Sequence, residues 1–186
     1  MSTRSGFLEA FGEIAGRIAA SLGGVAATVL PIRMYVAGGT ALHIHTGERV
    51  SDDVDAAFSH RIALPEDLEV VWRDADGTPR LLYFDRNYND TFALMHEDAY
   101  ENSWPLPLPG VDSAVLDVRL LSPLDLAVSK LGRFSGQDRE DVATLARLGL
   151  IDPAGLRMRA EEALGGYVGD IVRLRNTIDI VCRMIA

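Results

Sequence analysis

The sequence predicts an α/β (α+β) fold, in which a small mixed β-sheet is flanked by helices and followed by a helical C-terminal region. The first two-thirds of the chain carry short apolar or alternating segments typical of strands. The last third carries only helical periodicity, and 186 residues with 48% hydrophobic residues suffice for a substantial core. We therefore expect a core over residues 1–121 and a helical region over residues 122–186, packed together as one compact unit.

Apolar residues at helical spacing predict an N-terminal helix over residues 6–22, which Gly23–Gly24 would end. The strand candidates are short runs bounded by turn residues; in chain order they are 33–37, 53–58, 68–72, 81–84 and 114–119. Between the first two of these runs, Thr40 is expected to cap a short helix that ends at Thr46.

Turn and loop signals connect the later strands. The run 74–79 predicts a turn that joins 68–72 to 81–84 as a β-hairpin. Residues 85–102 are polar and aromatic, and we expect a short helix there. Residues 104–110 predict a loop, because each proline in this run removes a backbone donor.

The last third of the chain predicts four helices. Ser122 followed by Pro123 is typical of a helix start. The later helices are expected over 137–148, from 152–153 to 165–166, and from 167 to the C-terminus. The predicted apolar stripe of the last helix comprises Val168, Ile171, Val172, Ile178, Val181 and Ile185, with Cys182 as a small core residue.

Composition excludes some classes of protein and disfavours others. The net charge is −9, from 27 acidic and 18 basic residues, which argues against a broad electrostatic footprint on nucleic acid but leaves a local basic groove open. With Cys182 as the single cysteine, the sequence predicts neither disulfides nor a thiolate metal cluster. We expect a cytoplasmic protein, because no apolar run could span a bilayer and the N-terminus does not resemble a signal peptide.

Gly38 and Gly39 follow the first strand candidate and precede a helix. Glycines let the backbone approach a ligand closely, and the free amides of a helix N-terminus attract anions such as phosphate. By itself the pattern is weak, because paired glycines are mostly turns.

Asp53 and Asp55 lie two residues apart on a strand candidate, so both are expected to point to one face, with Val54 turned into the core. Two like charges held this close repel each other. A divalent cation is the simplest reason to keep them together, and oxygen ligands indicate Mg²⁺. The alternative is a solvated strand start at an exposed edge, which would also explain the neighbouring Asp52.

The glycine turn and the carboxylate pair together resemble the signature of the polymerase-β-type nucleotidyltransferase superfamily. That signature is an apolar residue, Gly, Gly or Ser and, about a dozen residues on, Asp-apolar-Asp-apolar. Here the two parts are Ala37-Gly38-Gly39 and Asp53-Val54-Asp55-Ala56. The resemblance implies the nucleotidyltransferase-type sheet, Mg²⁺ bound by Asp53 and Asp55, and an NTP held at Gly38, Gly39, Thr40 and Ser51.

Two longer blocks are similar to the AbiEii-like and DUF6036-like nucleotidyltransferases. Arg49-Val-Ser51-Asp-Asp-Val-Asp55 is similar to their Arg-x-Ser-x-Asp-apolar-Asp form. Ser122–Arg133 followed by Asp138–Asp141 is similar to their second block, a helix with a lysine before an aspartate pair that opens the next helix. The match covers residues 33–148.

This resemblance implies that Lys130 contacts the nucleotide triphosphate and that Asp138 lies near the active site. A lysine supplies a point charge for phosphate, and Asp138 could hold Lys130 or Arg133 in place. The alternatives are a snorkelling surface lysine and, for Asp141, an acid favoured by the helix dipole.

The superfamily often uses a third carboxylate on a neighbouring strand. Asp85, after the strand candidate 81–84, and Asp117, within 114–119, are the two candidates. We prefer Asp85, because its strand is expected to pair near that of Asp53. Without a third carboxylate the protein would bind a nucleotide without turning it over. His43 could line the nucleotide pocket, although a metal pair of His43 with His45 is not expected.

These features predict Mg²⁺-dependent transfer of a nucleoside monophosphate from an NTP to an acceptor hydroxyl. The AbiEii-like resemblance implies the toxin of a toxin–antitoxin pair, with tRNA or a protein as acceptor and an antitoxin as partner. Two alternatives stay open. One is a non-catalytic nucleotidyltransferase-like module that binds or regulates a partner. The other is an antibiotic-type transferase, since an acidic surface suits a cationic small molecule better than RNA.

Overall fold

The computed structural model describes residues 3–91 and 93–186, which fall into two compact units. The first unit runs to Tyr88 and resumes over Trp104–Leu120, and the second holds Asn89–Ser103 and Leu121–Ala186. The described residues form six α-helices and two mixed sheets, with helices at the C-terminal end. The predicted α/β class is therefore confirmed.

The first unit opens with a helix and continues mainly as strands. Its elements are α1 (Thr3–Ser21), β1 (Ile32–Val36), α2 (Gly38–Thr46), β2 (Asp53–Val54), β3 (Ala56–Phe58), β4 (Glu69–Arg73), β5 (Pro79–Phe84), β6 (Trp104–Pro105) and β7 (Leu116–Leu120). One sheet has the strand order β3-β1-β7-β6 and the other β2-β5-β4. The antiparallel hairpin of β4 and β5 is as predicted, and the start of the predicted proline-rich loop pairs briefly as β6.

The strand predicted over residues 53–58 is two strands, and the single predicted sheet is two sheets. β2 pairs in parallel with β5, whereas β3 pairs antiparallel with β1. The chain passes from one sheet to the other at Asp55. Val54 is fully buried while Asp53 and Asp55 are half-buried, so the two carboxylates and the apolar residue between them keep the alternation expected of an extended chain.

Helix α1 packs its apolar stripe against the second sheet, chiefly against β4. Phe7, Phe11 and Ile14 on this stripe are fully buried. Gly6 brings the helix close to the strand, since a Cβ at this position would lie 2.9 Å from the backbone oxygen of Arg73. The small residue is therefore required by the close approach of the two backbones.

The second unit contains four helices, α3 (Pro123–Leu131), α4 (Gly136–Arg147), α5 (Pro153–Ala163) and α6 (Ile171–Met184). Each starts at a side-chain cap of the kind that satisfies free amides; the caps are Ser122, Ser135, Asp152 and Asp170. The predicted starts of the first three helices are close to those observed.

The last helix begins later than predicted, and its predicted apolar stripe is partly wrong. Val168 precedes the helix and is 96% exposed, and Val172 is 72% exposed. The buried face instead combines Leu174, Ile178 and Val181, spaced four and three residues apart, with Cys182. The prediction of Cys182 as a core residue is confirmed.

The helix predicted within residues 85–102 is absent from the part of that segment that the structure describes. Side chains there bond to nearby backbone amides instead: the amide of Asn87 donates to Asp85 Oδ1, and that of Asp98 to His96 Nδ1. Such local bonds favour turns over helix. Among the described residues, no helix has the length and apolar character needed to cross a membrane.

Candidate functional site

The turn between β1 and α2 is built around two side chains from the segment after α2. Gly38 has a left-handed φ of +57°, and a Cβ on it would lie 1.8 Å from Asp55 Oδ2. A Cβ on Gly39 would lie 2.4 Å from Ser51 Oγ. A larger residue at either position would therefore displace the carboxylate or the hydroxyl from its observed place.

Two further hydrogen bonds tie this turn to the carboxylate segment. The amide of Ala37 donates to the carbonyl of Asp55 at 2.8 Å, and Thr40 Oγ1 donates to the carbonyl of Asp53 at 2.6 Å. Thr40 is fully buried. Its predicted role as helix cap is wrong, because α2 already begins at Gly38 with Ala37 as its N-cap and the hydroxyl is used across to Asp53.

Ser51 orients the carboxylate of Asp53. Its Oγ donates to Asp53 Oδ1 at 2.6 Å, and the residue is 5% exposed. Arg49 lies beside it, with a guanidinium nitrogen 2.9 Å from the position that a Cβ on Gly39 would take. Arg49 also has a positive φ of +41°, an uncommon backbone conformation for a residue with a side chain.

The register of β2 and β5 aligns Asp85 with the aspartate pair. Asp53 pairs with Tyr83 and Val54 with Phe84, and the amide of Asp85 donates to the carbonyl of Val54. Continued by one residue, this parallel register sets Asp85 opposite Asp55. Register neighbours point to the same face of a sheet, so Asp53, Asp55 and Asp85 belong to one side.

Asp117, the other candidate for a third carboxylate, lies in the other sheet. It is on β7, where it pairs in register with Arg33, and Arg119 donates to it at 3.2 Å. The pairing of Leu120 with Val36 marks the end of β1 that leads into the glycine turn. Asp117 is three residues short of that end, about 10 Å along the strand. The geometry thus favours Asp85.

The charges of several carboxylates act on the hydroxyl of Tyr83. The charge of Asp53 is the largest influence that raises the pKa of the Tyr83 hydroxyl, followed by partial burial and by the charges of Asp85, Asp52 and Asp55. Tyr83 is 39% exposed. Sequence reasoning missed this residue, although its position two residues before Asp85 on the hairpin strand was a usable signal for a shared face.

The donor set of this site consists of carboxylate oxygens, the ligands that Mg²⁺ prefers. Within residues 3–91 and 93–186, no three His, Cys, Asp or Glu side chains are gathered closely enough to hold a metal ion by themselves. Mg²⁺ is commonly bound through one or two carboxylates with substrate phosphates completing its shell. Asp53 and Asp55, held against the glycine turn, fit that mode of binding.

Lys130 is a buried ion-pair residue of the second unit. It is 7% exposed, and its Nζ lies 2.6 Å from Asp141 Oδ2 and 3.6 Å from Asp138 Oδ1. The alternatives of a snorkelling lysine and of an Asp141 placed only for the helix dipole are therefore wrong. A contact of Lys130 with a triphosphate stays a prediction.

Asp138 lies in the first turn of α4 and accepts hydrogen bonds from several donors. Arg133 binds its two oxygens at 2.9 and 3.0 Å, and Ser135 donates to it from both the backbone and the hydroxyl. Burial would raise the pKa of Asp138, but these hydrogen bonds and the charge of Lys130 outweigh it and lower the pKa to about 2. Asp138 thus holds Arg133 and lies near Lys130, as expected.

His43 is a core residue. It is fully buried, its Nδ1 lies 3.1 Å from the carbonyl of Glu48, and its ring packs edge-on against Phe7. Burial lowers the pKa of His43, which favours the neutral ring. The suggestion that it lines a nucleotide pocket is wrong.

Comparison with curated proteins yields no match to this chain, and comparison with solved structures yields none either. A family model described as "Nucleotidyltransferase of unknown function (DUF6036)" matches residues 17–169. The matched range includes the glycine turn, Asp53, Asp55 and Asp85, and Lys130 with its two aspartates. The chain therefore belongs to the DUF6036 family of nucleotidyltransferases.

Proposed function

We propose that this protein transfers a nucleoside monophosphate from an NTP to an acceptor hydroxyl, with Mg²⁺ held by Asp53 and Asp55. The observation that carries the proposal is the fit between Gly38 and the Asp55 carboxylate, which leaves no room for a Cβ. A strand start that merely faced solvent would not need its aspartate pressed against a left-handed glycine. Membership of a nucleotidyltransferase family supports the same reaction class.

In the proposed reaction the acceptor oxygen bonds to the α-phosphorus while the bond from that phosphorus to pyrophosphate breaks. Asp85 is the base that takes the acceptor proton, since its carboxylate shares a sheet face with Asp53 and Asp55. Ser51 keeps Asp53 oriented. The backbone at Gly38 and Gly39 receives phosphate oxygens at the start of α2, where the amides of the first helical turn have no intrahelical partner. Bound Mg²⁺ would supply charge stabilisation for the phosphate oxygens.

Labelling of an acceptor by an NTP labelled at its α-phosphate tests the proposal. Wild type is compared with Asp53→Asn combined with Asp55→Asn, a nearly isosteric change that removes both charges. We expect the double variant to lose about a hundredfold or more of the labelling, in line with the loss of electrostatic groups from other transfer sites. Equal labelling by both proteins would refute the catalytic role of the pair.

Two single variants separate the candidates for the third carboxylate. Asp85→Asn should lower labelling by about a hundredfold if it removes a general base. Asp117→Asn removes a carboxylate of similar burial that belongs to an arginine pair in the other sheet, and it should leave labelling unchanged. The reverse result would assign the base to Asp117. Calorimetry with NTP and Mg²⁺ addresses the non-catalytic alternative, which predicts no metal-dependent binding.

We further propose that the protein is the toxin of a toxin–antitoxin pair, as the AbiEii-like resemblance implies. Induced expression of wild type should then arrest bacterial growth, whereas the Asp53→Asn, Asp55→Asn variant at equal abundance should not. Growth arrest by both proteins, or by neither, would contradict a toxic nucleotidyl transfer.

A further inference from the structure

The outward face of the β2-β5-β4 sheet carries an exposed apolar patch beside the aspartates. Val71 on β4 is 71% exposed and Leu81 on β5 is 42% exposed, and the two are paired in register. Tyr83 follows two residues after Leu81 on the same face and is 39% exposed. We name Val71, Leu81 and Tyr83 the apolar row.

The apolar row leads directly into the candidate site. Tyr83 pairs in register with Glu69 on one side and with Asp53 on the other. Val71 lies two strands away from Asp53 and two residues further along the strand direction. The distance between the two residues is therefore about 12 Å. An extended peptide covers that distance in about four residues. If a side chain of a bound extended peptide contacts Val71, a residue about four positions away in that peptide would therefore lie at the aspartates.

Negative charge is concentrated at the Tyr83 end of the apolar row. Asp53 and Glu69 flank Tyr83 in register, and the charges of Asp52, Asp55 and Asp85 also act on its hydroxyl. Arg73, at the far end of β4, donates to the carbonyl of Gly77, and Arg80 is paired with Asp74. A partner whose surface is a phosphate backbone requires lysines and arginines across from it, whereas the Tyr83 end of this face offers carboxylates and apolar groups.

We propose that the apolar row is the docking surface for the acceptor, and that the acceptor is a basic, apolar segment of a protein. The segment carries its hydroxyl residue about four positions from a leucine or similar side chain, with arginine or lysine between them. The apolar side chain covers Val71 and Leu81, the cationic residues face Glu69, and the hydroxyl reaches the aspartates. This inference rests on the proposed function and assigns the acceptor class of that same site.

The test uses two pools of synthetic peptides and total tRNA as probes, with Mg²⁺ and the four NTPs labelled at the α-phosphate. Peptides of the first pool carry Ser, Thr or Tyr four positions from Leu, with Arg or Lys between. The second pool has Glu in place of every Arg and Lys. We expect the basic pool to be labelled at least about tenfold more than the acidic pool, because like charges across an interface are strongly unfavourable. The basic pool should also be labelled more than tRNA.

Variants of the apolar row provide the second measurement. Val71→Lys combined with Leu81→Lys should reduce labelling of the basic pool at least about tenfold, since it brings like charges together at the contact. Val172→Lys on α6 is the matched control, because Val172 is 72% exposed against 71% for Val71, and it should label as wild type does. Thermal unfolding checks that both proteins remain folded.

Equal labelling of the two pools, preference for tRNA, or unchanged labelling by the Val71→Lys, Leu81→Lys variant would each overturn the docking proposal. Calorimetry of wild type with NTP and Mg²⁺ distinguishes this failure from failure of the proposed function. Metal-dependent NTP binding with no preference for the basic pool would overturn the acceptor class alone. Absence of both NTP binding and labelling would overturn the proposed function and this inference together.

Discussion

Replacement of Gly38 by alanine should impair the reaction far more than it destabilises the fold. The residue has a left-handed φ of +57°, which costs a residue with a side chain about 1–2 kcal/mol. The added Cβ would lie 1.8 Å from Asp55 Oδ2, and contacts under 3.0 Å are essentially never found. The carboxylate must therefore retreat by about 1.2 Å, beyond the roughly 0.5 Å tolerance of a catalytic arrangement.

Gly47, at the other end of α2, provides a matched control. Its φ is +74°, and a Cβ there would meet nothing within 4 Å. Gly47→Ala should therefore lose the same 1–2 kcal/mol of conformational free energy without moving a side chain of the site. Because a misplacement of about 1 Å can cost a hundredfold in rate, we expect about a hundredfold loss of labelling in Gly38→Ala and near-normal labelling in Gly47→Ala.

Two measurements are needed on each variant: urea unfolding for the free energy of unfolding, and labelling from an α-labelled NTP at a temperature where both variants are fully folded. Similar loss of stability with activity lost only in Gly38→Ala is the expected pattern. If Gly38→Ala stayed within about threefold of wild type, less than 1 kcal/mol of transition-state stabilisation would depend on this contact. The Asp55 carboxylate would then not require its observed position.

Three further expectations concern stability and can be checked by denaturant unfolding. Gly6→Ala should destabilise by about 1–3 kcal/mol, because its Cβ would meet a strand backbone, whereas Gly16→Ala in the same helix meets open space and should stabilise by up to about 1 kcal/mol; equal effects would contradict the packing of α1. Lys130→Met should destabilise by about 3–5 kcal/mol by removing the charge that compensates the buried Asp141 carboxylate, and adding Asp141→Leu should restore most of the loss; no restoration would argue against an ion-pair role. Asp138→Asn should cost about 2 kcal/mol at pH 7, because the folded pKa of about 2 lies below the unfolded value of 3.8. Since the wild-type advantage is lost as pH falls from about 4 to 2, the two unfolding curves should converge over that interval, and a constant difference would contradict the lowered pKa.

The elements that could be predicted from the sequence are those that depend on residues close together in the chain. The stripe of Phe7, Phe11 and Ile14 predicts α1 because helical spacing alone brings these residues to one face. Ser122 predicts the start of α3 for a similar reason, since its hydroxyl accepts the amide of Asp125 three residues on. The hairpin of β4 and β5 depends on a short turn between adjacent strands.

Features that depend on distant partners could not be obtained in this way. Whether residues 53–58 form one strand or two is decided by β5 and β1, which lie on opposite sides of the segment in the sequence. Lys130 pairs most closely with Asp141, eleven residues away on another helix, whereas the sequence left a helix-dipole role for that aspartate as an open alternative. The carboxylate pair itself was predictable, but its contact with Gly38 required the fold.

Because the chain passes from one sheet to the other at Asp55, the positions of Asp53 and Asp55 depend on strand pairings in both sheets. Asp53 is held by β2 on β5, and the chain just after Asp55 is held by β3 on β1. β1 is in turn paired with β7, which joins Ile32 to Leu116, a non-local contact that forms slowly in folding. The spacing of the two carboxylates is therefore set only after both sheets have assembled. If the proposed reaction depends on this spacing, we expect it only from chains synthesised at least through β7, which pairs with β1 along its whole length.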